Sequence, residues 1–464
     1  MSRGFVPTPT SVVDLMVDRL FSLREPKASD WLLDPGCGTG LLIDGVLRWC
    51  AKKHTSVPNI VGIELDAQRA QYCSERFANN SRIRVLNEDF LSDRPLRFDF
   101  ILGSPPYVPI TQLKQREKAR YRKRYHAAEG RFDLYMLFFE QALRLLKDKG
   151  RLCFITPEKF LYVSSCRGLR KLLWQYNVEN FTFLDEATYA PLITYPILTT
   201  LSALPASRSV AVKLRNGSTL DITPPKSGDS VLPLLSDLTM STSKRPVLKD
   251  ICSRISCGIA TGADDIFVKQ TALLSDALRP FAYPTVAGRD LLLNDSSIRS
   301  TASLLVPYSA TGSLLNPEEL DALGEYLSKK KIRSRLKRRT CARHKPWYAY
   351  HDPVPLSEIL KPKILCKDIC SAPEFWLDKQ GIIVPRHSVY YLIPQTPYLL
   401  TDLFAYLNSQ EAQTWLRANC QRAANGFIRL QSSVLKKLPI PHSFMSRSQL
   451  TFSEQKEDSR GALA

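Results

Sequence analysis

From Trp31 to about Leu152 the sequence alternates short apolar runs with amphipathic stretches, and this rhythm constrains the chain more than any other feature. It is the pattern of βαβ units, in which parallel strands form one sheet and the intervening helices cover its faces. WLLD (31–34), IVGIE (60–64), IRVLNED (83–89), FDFILG (98–103) and LCFI (152–155) read as buried strands. A helix follows from Leu41 to about Trp49. Another, from about Phe132 to Leu146, places Tyr135, Phe138, Phe139, Ala142, Leu145 and Leu146 on one face, and Lys147, Asp148 and Lys149 then lead into Gly150. That spacing predicts an amphipathic helix ending near a glycine. The expected class is α/β with a mixed, mainly parallel sheet.

The first strand runs into Asp34-Pro35-Gly36-Cys37-Gly38-Thr39-Gly40, directly before a helix. Three alternate glycines there let backbone amides approach a ligand without interference from a Cβ. Dinucleotide-binding folds use the same logic, with the ligand over the carboxyl ends of the strands. Here the spacing is Gly-x-Gly-x-Gly and an acid precedes it. Asp34 would repel a pyrophosphate, whereas it would attract a cofactor carrying an ammonium and a sulfonium. Glu64 ends the next strand, where one carboxylate can take both hydroxyls of a ribose. Asp89 and Phe90 follow the third, suited to accept from an adenine amino group and to cover its ring. Together these residues point to S-adenosylmethionine.

Ser104-Pro105-Pro106-Tyr107 follows FDFILG and so belongs at the same edge of the sheet. The prolines stiffen the loop, and the Ser104 hydroxyl and Pro105 carbonyl can accept the two protons of an amine. Tyr107 can stack on the base carrying that amine, once the base has left its duplex. Positioning and electrostatics would then do the catalytic work, with no covalent nucleophile. Neither Cys37 nor Cys153 stands in the Pro-Cys turn that attack on cytosine would use.

In 464 residues there is chain enough for two domains, and around 202–246 the character shifts to short segments rich in Pro, Ser and Thr. The 64 Lys and Arg against 45 Asp and Glu, a net charge of +19, call for a polyanionic partner. Basic residues gather at Lys114–Arg124, read as a mobile segment facing nucleic acid, and at Lys329–Arg343; both could neutralise phosphates. The N-terminal residues resemble no signal peptide, and no apolar run reaches membrane-spanning length. Eleven scattered cysteines fit reduced thiols in a soluble, cytoplasmic protein rather than a disulfide framework, and none is joined by a second pair at zinc spacing. No metal is expected.

With these residues in place the chain resembles the Taq-type, γ-group amino DNA methyltransferases of restriction-modification systems. Thr8-Pro9 and the helix Val12–Leu20 are similar to the family's N-terminal cofactor motif. The Gly loop, Glu64, Asp89-Phe90, Ser104–Tyr107, Phe132-Asp133-Leu134-Tyr135 and Ile155-Thr156-Pro157 follow in family order. In the second half, Gly258–Gly262, Gly288-Arg289-Asp290, Lys361–Ile364, Leu407-Asn408-Ser409 and Leu435–Pro441 resemble the recognition domain.

The resemblance implies a Rossmann-like class I methyltransferase domain over 1–215, an α+β target-recognition domain over 216–450 and a disordered tail, 451–464. It implies methylation of N6 of adenine in double-stranded DNA, the base flipped into the Ser104–Tyr107 pocket. The implied site holds Thr8, Pro9, Asp34, Gly36, Gly38, Gly40, Glu64, Asp89 and Phe90 on the cofactor and Ser104, Pro105, Pro106 and Tyr107 on the target. The chain opens almost directly on the cofactor motif, so modification without cutting is expected, with a separate cognate endonuclease as candidate partner and a monomer as the default.

Two departures stand out. Ser104 occupies a position where adenine enzymes carry Asn or Asp, and serine is more familiar in N4-cytosine enzymes; the motif order favours adenine. After Thr156-Pro157 the family supplies a second aromatic for the flipped base, and here Cys166 stands, with Phe160 or Tyr162 as substitutes. The competing readings are an N4-cytosine enzyme, a methyltransferase of rRNA or protein glutamine, and an inactive DNA-binding module.

Overall fold

The computed structural model describes residues 6–92, 95–190, 194–235, 245–292, 298–423 and 426–445, so the expected tail at 451–464 lies outside it. The chain divides into two compact units, Met1–Asp237 and Leu238–Ala464.

The first unit carries strands β1 (Trp31–Pro35), β2 (Asn59–Glu64), β3 (Ile83–Asn87), β4 (Phe98–Gly103), β5 (Leu146–Pro157), β6 (Tyr176–Phe183), β7 (Pro196–Pro205), β8 (Val210–Lys213) and β9 (Thr219–Ile222). They form one sheet in the order β3-β2-β1-β4-β5-β7-β6-β8-β9. Strands β1 to β5 run parallel, and β7 runs antiparallel to both β5 and β6. Successive strands therefore step outward from β1 on one side and from β4 on the other. The gap between those two is a topological switch point, where ligands of open α/β sheets bind.

Helices α1 (Thr10–Phe21), α2 (Leu41–Lys53) and α3 (Ala67–Arg76) precede α4 (Gln115–Arg124), α5 (Leu134–Leu145) and α6 (Arg167–Leu173). On α1, Val13, Met16, Val17, Leu20 and Phe21 are buried, one stripe at helical spacing. They join a core with Leu32, Ile43, Val46, Phe100 and Ile155, whereas α5 and α6 pack into a second core with Leu33, Ile101, Phe154 and Phe181.

Two expectations are corrected. The helix read at 132–146 spans Leu134–Leu145 and is buried nearly all round, not amphipathic. Its polar side is covered because the segment before it folds back: Glu140 accepts from the amides of His126 and Ala127, and Gln141 meets the Tyr125 hydroxyl. It ends without a glycine cap, because Leu146 goes straight into β5 and Lys149, not Gly150, takes the positive φ of 61°. The boundary also moves. Strand β9 lies beyond residue 215 yet pairs with β8, so the first unit continues to Asp237.

The second unit is α+β. Its strands are β10 (Cys252–Cys257), β11 (Val268–Gln270), β12 (Ala282–Val286), β13 (Ala302–Leu305), β14 (Lys363–Lys367), β15 (Ile369–Cys370), β16 (Phe375–Asp378), β17 (Val384–Pro385), β18 (Val389–Pro394), β19 (Gln421–Arg422) and β20 (Ile428–Arg429). They make sheets β10-β18-β14-β16, β11-β13-β12-β17 and β15-β20-β19. Its helices are α7 (Asp264–Phe267), α8 (Asp321–Ser328), α9 (Lys330–Lys337), α10 (Leu356–Ile359), α11 (Leu399–Leu407), α12 (Gln410–Asn419) and α13 (Ser432–Leu435). The expected fold class, α/β followed by α+β, is the one observed. No helix among the described residues is long and apolar enough to cross a membrane.

Candidate active site

A cavity of about 410 Å³ opens at the carboxyl ends of β1 to β4, a volume suited to a cofactor. Its walls include Thr8, Gly36, Glu64, Asp89, Phe90 and Ser104 to Tyr107. Of the sequence-derived set, Pro9, Asp34, Gly38 and Gly40 do not reach the wall. Pro9 precedes α1, and the other three shape the loop from behind.

The loop geometry follows from its glycines. Gly40 stands at φ +87° where α2 begins, and a Cβ there would come within 2.5 Å of the Phe77 ring. Any side chain would break both the turn and its packing. Behind the turn, Gly38 N–H donates to Glu64 Oε2 at 3.0 Å, so strand end and loop are tied together. Glu64 Oε1 accepts from the Asp66 amide and from Arg69, each at 2.8 Å. The carboxylate is thereby fixed in orientation at the cavity wall.

Asp34 differs. It is fully buried, and among the described residues neither carboxylate oxygen has a hydrogen-bond partner. Burial, reinforced by Cys73 and Glu64, pushes its carboxyl well above the usual range. A buried acid without a donor is an arrangement that a cation would relieve.

Asp89 Oδ1 accepts from the Leu91 amide at 3.0 Å, and Oδ2 pairs with Arg120 at 2.9 Å. Arg120 belongs to α4, the basic segment expected to be mobile. That segment forms a helix with two faces. Tyr121 is buried and lines the cavity with Leu113 and Glu117, while Lys114, Arg116, Arg122 and Lys123 stay exposed. Phe90 is buried against Phe138, with ring centroids 4.9 Å apart.

At the target loop the Tyr107 ring stands edge-on to Tyr135 at 6.4 Å. Beside it is a residue that the sequence reading missed. Tyr189, from the connection between β6 and β7, lines the same cavity, with Thr8, Ser104 and Tyr107 around its hydroxyl. The hydroxyls of Tyr107 and Tyr189 are buried, and among the described residues neither has a partner in hydrogen-bonding geometry. Burial pushes both phenols up.

The residues considered for a second aromatic lie elsewhere. Phe160 is core, packed on Phe139 and Phe181; Tyr162 bonds Glu158; Cys166 is buried beside Tyr135 and Met136. The signal for Tyr189 lay in the strand order. Because β7 is antiparallel and Pro196 pairs with Pro157, the loop before β7 emerges at the carboxyl edge of β5.

The thiols are not poised to attack. Cys73 and burial push Cys37 up, and burial pushes Cys153 up to about 12. Both are neutral thiols near pH 7, and the thiolate is the nucleophilic form.

A family model described as Eco57I restriction-modification methylase matches residues 54–188, and one described as TaqI-like C-terminal specificity domain matches 309–440. The chain is 25% identical to the type II methyltransferase M.PaeR7I of Pseudomonas aeruginosa, covering 95% of this chain and 86% of that one. It is 24% identical to M.BstVI of Geobacillus stearothermophilus over 95% of this chain and 90% of that one. Among solved structures, the type IIL restriction-modification enzyme MmeI in complex with DNA aligns over 97% of this chain and 68% of its own, at 14% identity and a TM-score of 0.61.

Proposed function

Since this chain belongs to the type II restriction-modification DNA methyltransferases, joining an Eco57I-type methylase segment to a TaqI-like specificity domain, we propose that it methylates N6 of adenine within a short sequence of double-stranded DNA. S-adenosylmethionine is the proposed donor and supplies an electrophilic methyl group when bound. The observation that carries the reading is the convergence on one cavity of Glu64, Asp89, Phe90, the Ser104–Tyr107 loop and Tyr189.

The residues fit this cofactor. Glu64, held by Gly38, Asp66 and Arg69, presents a carboxylate to ribose hydroxyls. Asp89 accepts from the adenine amino group, and Phe90 with Leu41 and Leu42 supplies apolar cover. The buried Asp34 carboxyl, whose ionisation burial disfavours in the free protein, would ionise against an approaching ammonium and sulfonium and so favour them.

On the target side, Ser104 Oγ and the Pro105 carbonyl accept the two N–H protons of the flipped base. This orients its nitrogen lone pair away from the loop and raises its electron density as the bond forms. Tyr107 and Tyr189 hold the base between aromatic faces, replacing the stacking lost on leaving the duplex. The same apolar walls exclude water from the reacting atoms. After transfer the methylated nitrogen carries the positive charge, which Ser104 and Pro105 stabilise as hydrogen-bond acceptors until one of its protons is lost to water as the product leaves. The exposed cations of α9 neutralise phosphates.

The test is single-molecule sequencing of DNA from a host lacking other methyltransferases, with and without this gene. N6-methyladenine in one sequence context is the expected result. N4-methylcytosine would overturn the base assignment and make Ser104 its cause, while absence of any modified context would overturn DNA as substrate.

A further inference from the structure

Within the second unit, the surface of α9 and an open pocket of about 620 Å³ differ sharply in electrostatic character. Lys330, Lys331, Arg333, Lys337 and Arg338 on and just after α9 are exposed and of one sign. The pocket is mixed. Arg289, Lys367 and Arg386 share it with Asp264 and Asp368. The two surfaces adjoin through α7, whose Asp264 approaches Arg386 at 3.6 Å and whose Asp265 approaches Arg335 at 3.8 Å.

The pocket is built rather than incidental. Arg386 is almost fully buried, paired with Asp290 at 2.8 Å, and its Nε has no hydrogen-bond partner. Asp290 also accepts from the Ala287 amide at 2.7 Å, and Gly288 N–H donates to Ser388 Oγ at 2.9 Å. Opposite, the Asp368 amide donates to the Ser388 carbonyl, and its carboxylate pairs with Arg429 at 2.7 Å. Every backbone segment around the opening is therefore fixed. Arg289 projects from that frame, beside the exposed Ile369 and His387: its side chain is 81% exposed, and its only ion pair among the described residues is a loose 3.7 Å approach to Asp290.

Because the carboxylates of Asp264 and Asp368 share the wall with the cations, the opening is not the one-signed surface that a phosphate backbone favours. A base edge, which offers donors and acceptors side by side, suits a wall of mixed sign. We propose that this pocket reads one base pair of the target sequence, Arg289 donating its planar fork to O6 and N7 of a guanine. Arg386, through Asp290, is a positioning residue that holds the Gly288-Arg289 turn. The assignment rests on the reading of the chain as a DNA methyltransferase.

The experiment compares full-length wild type with Arg289→Ala and Arg289→Lys by sequencing of modified DNA from the same methylase-free host. It adds kcat/KM on duplexes altered one base pair at a time. Because Arg289 is exposed, both variants should fold, which a melting curve verifies. The expected result is a wild-type context containing a G·C pair at which Arg289→Ala loses discrimination, with cognate kcat/KM falling about 5- to 150-fold. Preference at all other positions should be unchanged, and Arg289→Lys should fall between, since it lacks the fork. An unchanged context, or a loss spread evenly over every position as a phosphate contact would give, overturns the pocket assignment alone. No modified DNA from wild type overturns the methyltransferase reading itself and this assignment with it.

Discussion

Tyr189 offers the sharpest test of the target pocket, because its hydroxyl and its ring make opposite predictions. The hydroxyl is buried and, among the described residues, has no partner in full hydrogen-bonding geometry, so Tyr189→Phe removes a desolvated group and should leave stability unchanged or slightly raised. The ring is proposed to stack on the flipped base, a contact worth about 1–3 kcal/mol. Losing it should lower kcat/KM by roughly 5- to 150-fold. Tyr189→Ala would also leave a cavity costing about 3–5 kcal/mol of stability if the site cannot collapse. Tyr189→Leu is therefore the better comparison, since it keeps bulk and loses only the aromatic face. Methyl transfer to a cognate duplex should rank wild type and Phe together, with Leu well below. A 2-aminopurine at the target position should brighten on binding to wild type and Phe and less with Leu. Equal rates for Phe and Leu would refute the stacking role, because a packing residue needs volume and not a π face.

Asp34 carries a pH prediction. Its raised carboxyl means that the cofactor-free fold gains from the protonated form. That contribution is complete below the unfolded value of about 3.9 and is lost as pH rises through the folded one. Asp34→Asn should accordingly raise the melting temperature of the cofactor-free protein at pH 8, by at least about 1 kcal/mol of stability, yet weaken cofactor binding. If the cofactor's cations draw the Asp34 carboxyl down, binding releases a proton and tightens with rising pH. Calorimetry in buffers of different ionisation heat should show that release in wild type and not in the Asn variant.

Asp89→Ala should weaken cofactor binding by about 1.5–3 kcal/mol with DNA affinity nearly unchanged, whereas Arg120→Ala, which removes a half-exposed ion pair, should shift it by under about 1 kcal/mol. Fluorescence titration distinguishes these outcomes. Replacing Lys330, Lys331 and Arg333 together by Ala should flatten the salt dependence of DNA binding by roughly 2–3 in slope while leaving the modified sequence as it was.

In the first unit the candidate residues around the cavity were legible because each stands where an apolar run stops. Asp34 and Glu64 stand at the ends of β1 and β2, and Asp89 and Ser104 just beyond β3 and β4; burial between parallel neighbours makes β1, β2 and β4 largely apolar, whereas β3, read as buried, is a half-exposed edge strand carrying Arg84 and Asn87. Tyr189 lacked that signal. Its loop follows β6, whose YNVENFTF pattern is broken by Glu179 and Asn180 and by register shifts against β7. Only the pairing of β7 brings it to the site. The outer face of α5 was misread for a related reason, since Glu140 and Gln141 look solvent-facing until the preceding segment folds over them.

In the second unit most of the residues that resembled a recognition domain prove to be framework, Arg289 of the Gly288-Arg289-Asp290 segment being the exception. Lys363 is buried on Asp378 at 2.6 Å, where the same carboxylate also collects the amides of Gly381, Ile382 and Ile383. Asn408 Oδ1 accepts from the Phe375 amide, and Ser409 caps α12. Leu438 and Ile440 hydrogen-bond through their backbones to Leu248 and Pro246, closing the unit on itself. Such residues fix how the sheets are stapled and carry no information about a base edge. Base choice depends on side chains that project from that frame, and a projecting side chain such as Arg289 obeys no periodicity, cap or turn rule. The sequence therefore reveals that DNA can be read here without revealing which DNA, until the frame shows which side chains it leaves pointing outward.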